Sequence, residues 1–178
     1  MATKIEKFEY MVHKFIAWYN ELNNSNDLDT YEDFSKLKLI KLHFFVCAIT
    51  TRLDKNHEEG LLRSFDNFYA MPYGHVESDV YSRLKDVESI EINNTNIRVL
   101  NQCPDKLCKE EIEEIDKAVA ALKSENIEII NYNASRLVNL SHEWNSWQTS
   151  YSIAQNLNKA SIKIPISLIV NEPKFYSL

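Results

Sequence analysis

Residues 37–49 read LKLIKLHFFVCAI. On a helix, this sequence places apolar side chains on nearly every face, whereas a surface helix has a single apolar stripe. We therefore predict that these residues form the central, buried helix of the fold. Ser35 is a suitable N-cap for this helix, although Thr30 and Asp33 offer an earlier start.

His43 and Cys47 are the residues of the predicted central helix that could act as a ligand or a nucleophile. His43 is surrounded by Leu42, Phe44 and Phe45, so we expect a hydrogen-bonded core histidine and not a ligand. Cys47 is an unsuitable nucleophile, because an apolar setting raises the pKa of a thiol and leaves it inert.

Four further helices are expected to cover such a centre, and two of them are predicted from their apolar spacing. The first runs from about Lys4 to Asn23 and the second from about Lys109 to Ser124. Two shorter helices are expected at about Ala134–His142 and Trp147–Leu157. The helix predicted at Lys109–Ser124 has an acidic outer face. This face is either an ordinary solvated face or a surface for a basic partner. This face comprises Glu110, Glu111, Glu113, Glu114 and Asp116.

The remaining segments predict a small amount of β structure. Ile90–Ile92 and Ile97–Val99 alternate in polarity on either side of an asparagine-rich turn, a pattern typical of a β-hairpin. Residues 164–170 read IPISLIV and fit either a strand or a helix that begins at Pro165. Residues 54–60 read DKNHEEG and predict a polar surface loop. We expect a mainly α fold, with a single compact helical domain over residues 1–178 and a small β-hairpin.

The composition limits the cellular compartment and the class of binding partner that we expect for the chain. The chain has 178 residues and a net charge of −6, which argues against broad binding to a nucleic-acid backbone. No apolar run approaches the length of a membrane span, and the first residues lack the apolar core of a signal peptide. Three cysteines without a CxxC pair indicate a reducing cytoplasm, with neither a disulfide framework nor a zinc ribbon.

Residues 68–81 read FYAMPYGHVESDVY and contain the most distinctive local pattern. Pro72 restricts the backbone and Gly74 permits a tight turn, after which we predict a helix from about residue 74 to Asp86. Glu77 would then lie in the first helical turn, where carboxylates are favoured. The functional interpretation is a docking platform that presents Tyr73, His75 and Tyr81 to a partner. The alternative is a corner that serves folding alone.

A second candidate cluster lies near residue 142. His142 and Glu143 could act as acid and base, but adjacent helical residues face different directions. We expect Trp147 to pack in the core with His142 hydrogen-bonded near it. The five histidines show no metal-ligand spacing, and the sequence contains no nucleophile or phosphate-binding motif. We therefore expect no catalytic residues, no cofactor and no metal.

Three segments in order resemble the Panacea domain family, which includes SocA-like antitoxins and phage-associated GepA-like proteins. Residues 37–45 are similar to the family's early Lys-Leu-x-Lys-Leu-Leu-Tyr-Phe helix. Residues 68–81 are similar to its aromatic-x-Ala-x-x-(Tyr/His)-Gly-Pro-Val-x-x-x-Val-Tyr signature, with His75 in place of the usual proline. Residues 137–147 are similar to its late Leu-(Thr/Ser)-His…Trp segment. The resemblance as a whole extends over about residues 35–178.

The resemblance implies an antitoxin that neutralises a co-encoded toxin by direct protein contact, without catalysis. The candidate partner-binding residues are Tyr73, Gly74, His75, Glu77, Tyr81, His142 and Trp147. Two alternatives remain open. One is a small hydrolase or nuclease that uses His75 or His142 with a carboxylate, and the other is an adaptor that delivers a client protein to a protease.

Overall fold

The structure is a computed structural model that describes residues 1–52 and 59–178. These residues are mainly helical, as predicted, and they also form two small sheets. Their α-helices are α1 (Lys4–Asn23), α2 (Lys36–Ile49), α3 (Ser78–Ser82), α4 (Lys109–Glu125), α5 (Ala134–His142), α6 (Asn145–Asn156) and α7 (Ile166–Asn171). Their strands are β1 (Thr30–Tyr31), β2 (Phe68–Met71), β3 (Gly74–Glu77), β4 (Ile90–Ile92), β5 (Ile97–Val99) and β6 (Ile162–Lys163).

Helix α2 lies at the centre of the fold, as its apolar sequence predicts. It begins after Ser35, whose Oγ accepts a hydrogen bond from the backbone N–H of Lys38 at 3.1 Å. Every residue from Lys38 to Ile49 is buried, and the helix packs against α4, α5 and β3. Because both faces are covered, even Lys38 and Lys41 are removed from solvent.

His43 is buried in α2, but the prediction of a hydrogen-bonded core histidine is wrong. Neither of its ring nitrogens has a hydrogen-bond partner among the described residues. The ring instead lies 5.2 Å from that of Phe8, 4.5 Å from that of Phe65 and 5.9 Å from that of Phe68, measured between centroids. Burial lowers the pKa of His43 to about 3, so the ring stays neutral. Burial also raises the pKa of the Cys47 thiol, as expected.

The predicted helices around α2 are present. A reciprocal capping box between Thr3 and Glu6 starts α1, and Asn24 ends it in the left-handed conformation. The acidic face of α4 is only partly solvated. Glu111 is buried 3.3 Å from Lys7, and Asp116 accepts a hydrogen bond from Tyr10. Much of the negative charge on this face is therefore used within the chain.

The predicted β-hairpin forms part of a larger sheet. Ile90 pairs with Val99 and Ile92 with Ile97, which confirms the hairpin of β4 and β5. Strand β1 adds to β5, so the order is β1-β5-β4, with all pairs antiparallel. A second antiparallel sheet has the order β3-β2-β6. The prediction of a single small hairpin thus understates the β content.

The helix predicted from residue 74 to Asp86 is wrong over its first turn. Residues 74–77 form β3, which pairs with β2 through a turn at Pro72 and Tyr73. The turn suits a hairpin because Gly74 has a φ of +96°, a value that favours glycine. Helix α3 begins only at Ser78, after Glu77 acts as its N-cap and accepts a hydrogen bond from the N–H of Val80.

The ambiguous segment at residues 164–170 and the predicted loop at residues 54–60 have different outcomes. Residues 164–170 contribute the start of α7, which Pro165 precedes as its N-cap. Most of the predicted loop at 54–60 lies outside the described residues, since the structure describes only Glu59 and Gly60 of it. In the described ranges, none of the helices has the length and apolar character needed to cross a bilayer.

Candidate functional site

The turn between β2 and β3 requires a glycine for two separate reasons. Gly74 has a positive φ, and a Cβ atom at this position would lie 2.4 Å from Ser141 Oγ. The same Cβ atom would lie 3.1 Å from the Nζ of Lys41. The hairpin therefore packs closely onto α5 and α2, and this contact fixes the direction in which the turn projects.

An apolar groove lies beside this turn, and we call it the tyrosine groove. Its volume is about 320 Å³. It is lined by Lys36, Leu37, Ile40, Met71, Pro72, Tyr73, Val76, Tyr81 and Asn94. Tyr73 is 65% exposed and Tyr81 is 47% exposed, so two large aromatic side chains border one apolar depression. The Nζ of Lys36 lies 5.7 Å from the centroid of the Tyr81 ring.

His75 lies beneath the turn and is fully buried. Its Nδ1 is 2.8 Å from Ser141 Oγ, and its Nε2 is 2.7 Å from Ser146 Oγ. Phe44 stacks on the imidazole with 3.7 Å between the centroids. Burial lowers the pKa of His75 well below its usual value, so the ring is neutral. His75 is thus a buried connection between the hairpin, α5 and α6, and its predicted role as a direct partner contact is wrong.

Lys41 supports the same strand from α2. Its buried Nζ donates a hydrogen bond to the backbone carbonyl of His75, and this acceptor carries no charge. Burial lowers the pKa of Lys41 to about 7, because the ammonium form loses its hydration. The charged and neutral forms of Lys41 are therefore both populated near pH 7.

Glu77 is also buried, and it belongs to a separate cluster of charges. Its Oε1 accepts a hydrogen bond from Lys4 Nζ at 2.8 Å and its Oε2 one from the N–H of Val80. Lys4 also reaches Asp66 at 2.7 Å and Asp79 at 2.6 Å. Burial alone would lower the pKa of Lys4, but the hydrogen bonds to these three carboxylates outweigh it and raise the pKa. Glu77 therefore anchors α1 to the start of α3, and it is not exposed to a partner.

The three carboxylates around Lys4 are the one group of potential metal ligands found within residues 1–52 and 59–178. Oxygen atoms of Asp66, Glu77 and Asp79 lie within 4.8 Å of one another. The Nζ of Lys4 bonds to all three residues and supplies a positive charge among them. The ammonium group accounts for this acidic cluster without a metal ion.

His142 and Trp147 hold the turn from its other side. Trp147 Nε1 donates a hydrogen bond to the Met71 carbonyl at 2.8 Å, and His142 Nε2 donates one to the Pro72 carbonyl at 3.1 Å. The two rings stack with 3.9 Å between their centroids. The expectation that Trp147 packs in the core holds only in part, because Trp147 is half-buried and packs against the core, whereas Trp144 lies within it.

The predicted candidates therefore divide by position. Tyr73 and Tyr81 border the groove, whereas Gly74, His75, Glu77, His142 and Trp147 fix the backbone around it. The sequence did not identify Lys41, Ser141 and Ser146 as residues that hold His75 in place. For Lys41, the available signal was a lysine within an otherwise apolar helix. Ser141 belongs to the late segment that resembles the Panacea family, but that pattern does not indicate a contact with His75. Ser146 has no local signal, and each serine lies far from His75 in the chain.

Comparison of this chain with protein-family models, with curated proteins and with solved structures found no match.

Proposed function

We propose that this chain is an antitoxin that neutralises a co-encoded toxin by direct binding at the tyrosine groove. The observation that carries the proposal is the exposure of Tyr73 and Tyr81 beside one apolar depression. The resemblance of residues 37–45, 68–81 and 137–147 to Panacea-type antitoxins supports the same role. The role requires no catalytic group, and the cytoplasm suits the free Cys47, Cys103 and Cys108.

The groove has the physical properties of a binding hot spot. Tyrosine is one of the residues that contribute most to protein interfaces, particularly around a pocket that a partner side chain fills. The backbone next to Tyr73 is fixed by the contacts of Gly74 with Ser141 and of Pro72 with His142. Little conformational entropy is then lost when a partner binds.

The lining of the groove also limits the chemistry of the partner. Apolar side chains of Leu37, Ile40, Met71 and Val76 favour an apolar or aromatic anchor. Lys36 is the one charged residue of the lining, so a carboxylate beside the anchor would be attracted. We therefore infer that the toxin presents an apolar side chain next to an acidic one.

The alternative of a small hydrolase or nuclease receives less support from the geometry. Both ring nitrogens of His75 contact serine hydroxyls in a buried site. The Nε2 of His142 donates to a backbone carbonyl, and its ring is stacked on Trp147. These contacts favour positioning roles for both histidines over proton transfer to a substrate.

A co-expression growth assay tests the proposal. The product of the neighbouring reading frame is expressed alone and together with this chain, and growth is measured. We expect the product to arrest growth alone and this chain to restore it. Tyr73→Ala and Tyr81→Ala should each weaken rescue while the thermal melt of the purified variant stays unchanged. Leu157→Ala is a matched control, because Leu157 is exposed outside the groove.

Three outcomes would contradict the proposal. The neighbouring product could be harmless, both tyrosine variants could rescue fully, or Leu157→Ala could lose rescue to the same extent. An immunoblot of the toxin distinguishes the adaptor alternative. Constant toxin levels during rescue support direct neutralisation, whereas falling levels indicate delivery to a protease.

A further inference from the structure

A second concave site lies where α1 meets the ends of β1 and β5. Its volume is about 410 Å³, and it is lined by His13 and Ile16 of α1, by residues 27–29 with Tyr31, and by residues 99–103. We call it the His13 pocket. Small-molecule sites have volumes of roughly 300–1,000 Å³, so this pocket falls within their range. It shares no lining residue with the tyrosine groove.

A buried chain of hydrogen bonds orients His13 at this pocket. Glu9 Oε1 accepts hydrogen bonds from the backbone N–H groups of Glu88 at 3.0 Å and Ser89 at 2.6 Å. The same oxygen lies 2.5 Å from Ser89 Oγ, and both Glu9 and Ser89 are buried. Because a carboxylate oxygen is the acceptor in this contact, the hydroxyl of Ser89 must donate its proton to Glu9.

This arrangement determines the tautomer of His13. Its Nε2 is 2.8 Å from Ser89 Oγ, whose own proton is already used. The Nε2 of His13 must therefore be the donor in this hydrogen bond. In the neutral ring, Nδ1 then carries a lone pair, and the described part of the chain shows no hydrogen bond to it. Burial lowers the pKa of His13, although the charge of Glu9 opposes the shift, so the neutral ring is favoured.

One of the carboxylates that line the pocket, that of Asp27, is also held by a hydrogen bond. Asn20 Nδ2 donates to Asp27 Oδ1 at 3.1 Å and to the hydroxyl oxygen of Tyr31 at 2.8 Å. The backbone N–H of Leu28 donates to the same hydroxyl at 3.1 Å. Asp27 and Asp29 both line the pocket, and its lining contains no lysine or arginine. The site thus combines a histidine acceptor with two carboxylates.

We propose that the His13 pocket binds a guanidinium group. A guanidinium ion is positively charged, planar and rich in N–H donors, and it is less strongly hydrated than an ammonium ion. Asp27 and Asp29 supply charge-assisted acceptors, and the Nδ1 of His13 supplies a neutral one. The Glu9–Ser89 pair acts through His13 by fixing its tautomer, so Ser89 is a positioning residue.

Calorimetric titration of the full chain tests this site with two sources of the group. The probes are ethylguanidine, as a free small molecule, and an acetyl-Gly-Arg-Gly-amide peptide. The neutral analogue in which citrulline replaces arginine should not bind. We expect saturable 1:1 binding of at least one guanidinium probe. Binding of both indicates that the group itself is recognised, and binding of the peptide alone indicates an arginine side chain of a partner.

Variants identify the residues that carry binding. Asp29→Asn and His13→Phe should each weaken binding roughly tenfold or more, as expected for loss of a hydrogen bond to a charged group. Asp105→Asn is the control, because it removes the same charge at an exposed position outside the pocket. Ser89→Ala should change the ¹⁵N shifts of the His13 ring, since the donor role of Nε2 is no longer imposed.

Several results would overturn this proposal. They are failure of both guanidinium probes to bind, equal binding of the citrulline peptide, and equal loss of affinity in Asp105→Asn and Asp29→Asn. A His13 ring that remains on the same tautomer in Ser89→Ala would refute the positioning role of Ser89. None of these measurements depends on toxin rescue.

Discussion

Gly74 and Ser141 are packed so closely that a single methyl group on Gly74 would overlap the Ser141 side chain. Gly74→Ala should therefore destabilise the protein by at least about 2 kcal/mol, since it adds both steric overlap and an unfavourable positive φ. Urea denaturation measures the free energy of unfolding. A loss below about 0.5 kcal/mol, within the usual range for surface substitutions, would show that the hairpin moves away from α5 readily.

Lys41 should make the stability of the fold depend on pH in the alkaline range. Its pKa falls from 10.5 in the unfolded chain to about 7 in the folded protein. The unfolded state therefore binds more protons above pH 7, and the free energy of unfolding should rise from pH 7 to pH 9. Lys38, with a pKa lowered to about 8, acts in the same direction. Above pH 9 the raised pKa of Cys47 opposes this trend, because its thiol ionises first in the unfolded chain.

Lys41→Met tests this pH dependence. Urea denaturation between pH 7 and pH 9 should give a flatter stability curve than the wild type, with the remaining slope due to Lys38. Lys109→Met removes a charge from an exposed side chain and should leave the slope unchanged. Equal slopes in the wild type and in Lys41→Met would mean that Lys41 stays charged in the folded protein.

His43 is expected to reduce stability, because both of its ring nitrogens are buried without hydrogen bonds. His43→Leu should raise the free energy of unfolding at pH 7 by about 1 kcal/mol, since an unsatisfied buried polar group costs about 1–3 kcal/mol. Thermal or urea denaturation measures the change. Destabilisation by this substitution would indicate that the contacts with Phe8, Phe65 and Phe68 outweigh the missing hydrogen bonds.

The same variant should also be less sensitive to acid. His43 has a pKa of about 3 when folded and 6.5 when unfolded, so the unfolded state binds more protons between these values. The stability of the wild type should fall as the pH decreases through this range. His43→Leu should lose less stability between pH 6.5 and pH 4. An unchanged slope would assign the acid sensitivity to other groups, such as His75.

The helices that surround α2 could be predicted because their signal is local. The apolar stripe of α1 and the fully apolar faces of α2 depend on residues a few positions apart. The β2–β3 hairpin was missed because its strands are short and its stability depends on distant partners. β2 pairs with Lys163 and Ile162, and no local pattern near residue 70 indicates that contact.

The candidate site shows the same division between local and distant contacts. A local motif identified Tyr73 and Tyr81, and whether they contact a partner stays a prediction. The buried positions of His75 and Glu77 could not be predicted, because they depend on Ser141, Ser146 and Lys4 in other elements. Sequence spacing locates a turn, whereas burial depends on which helices close over it.

The supports of His75 have a consequence for how a partner can bind. β3 is an edge strand, and the backbone groups at an exposed edge commonly recruit an added strand. At His75, however, Ser141 Oγ accepts from the backbone N–H, and Lys41 Nζ donates to the carbonyl. These side chains block β-augmentation at the centre of β3. A protein that binds at the β3 edge must therefore dock there through its side chains, and the same blockage protects this edge from aggregation with other copies.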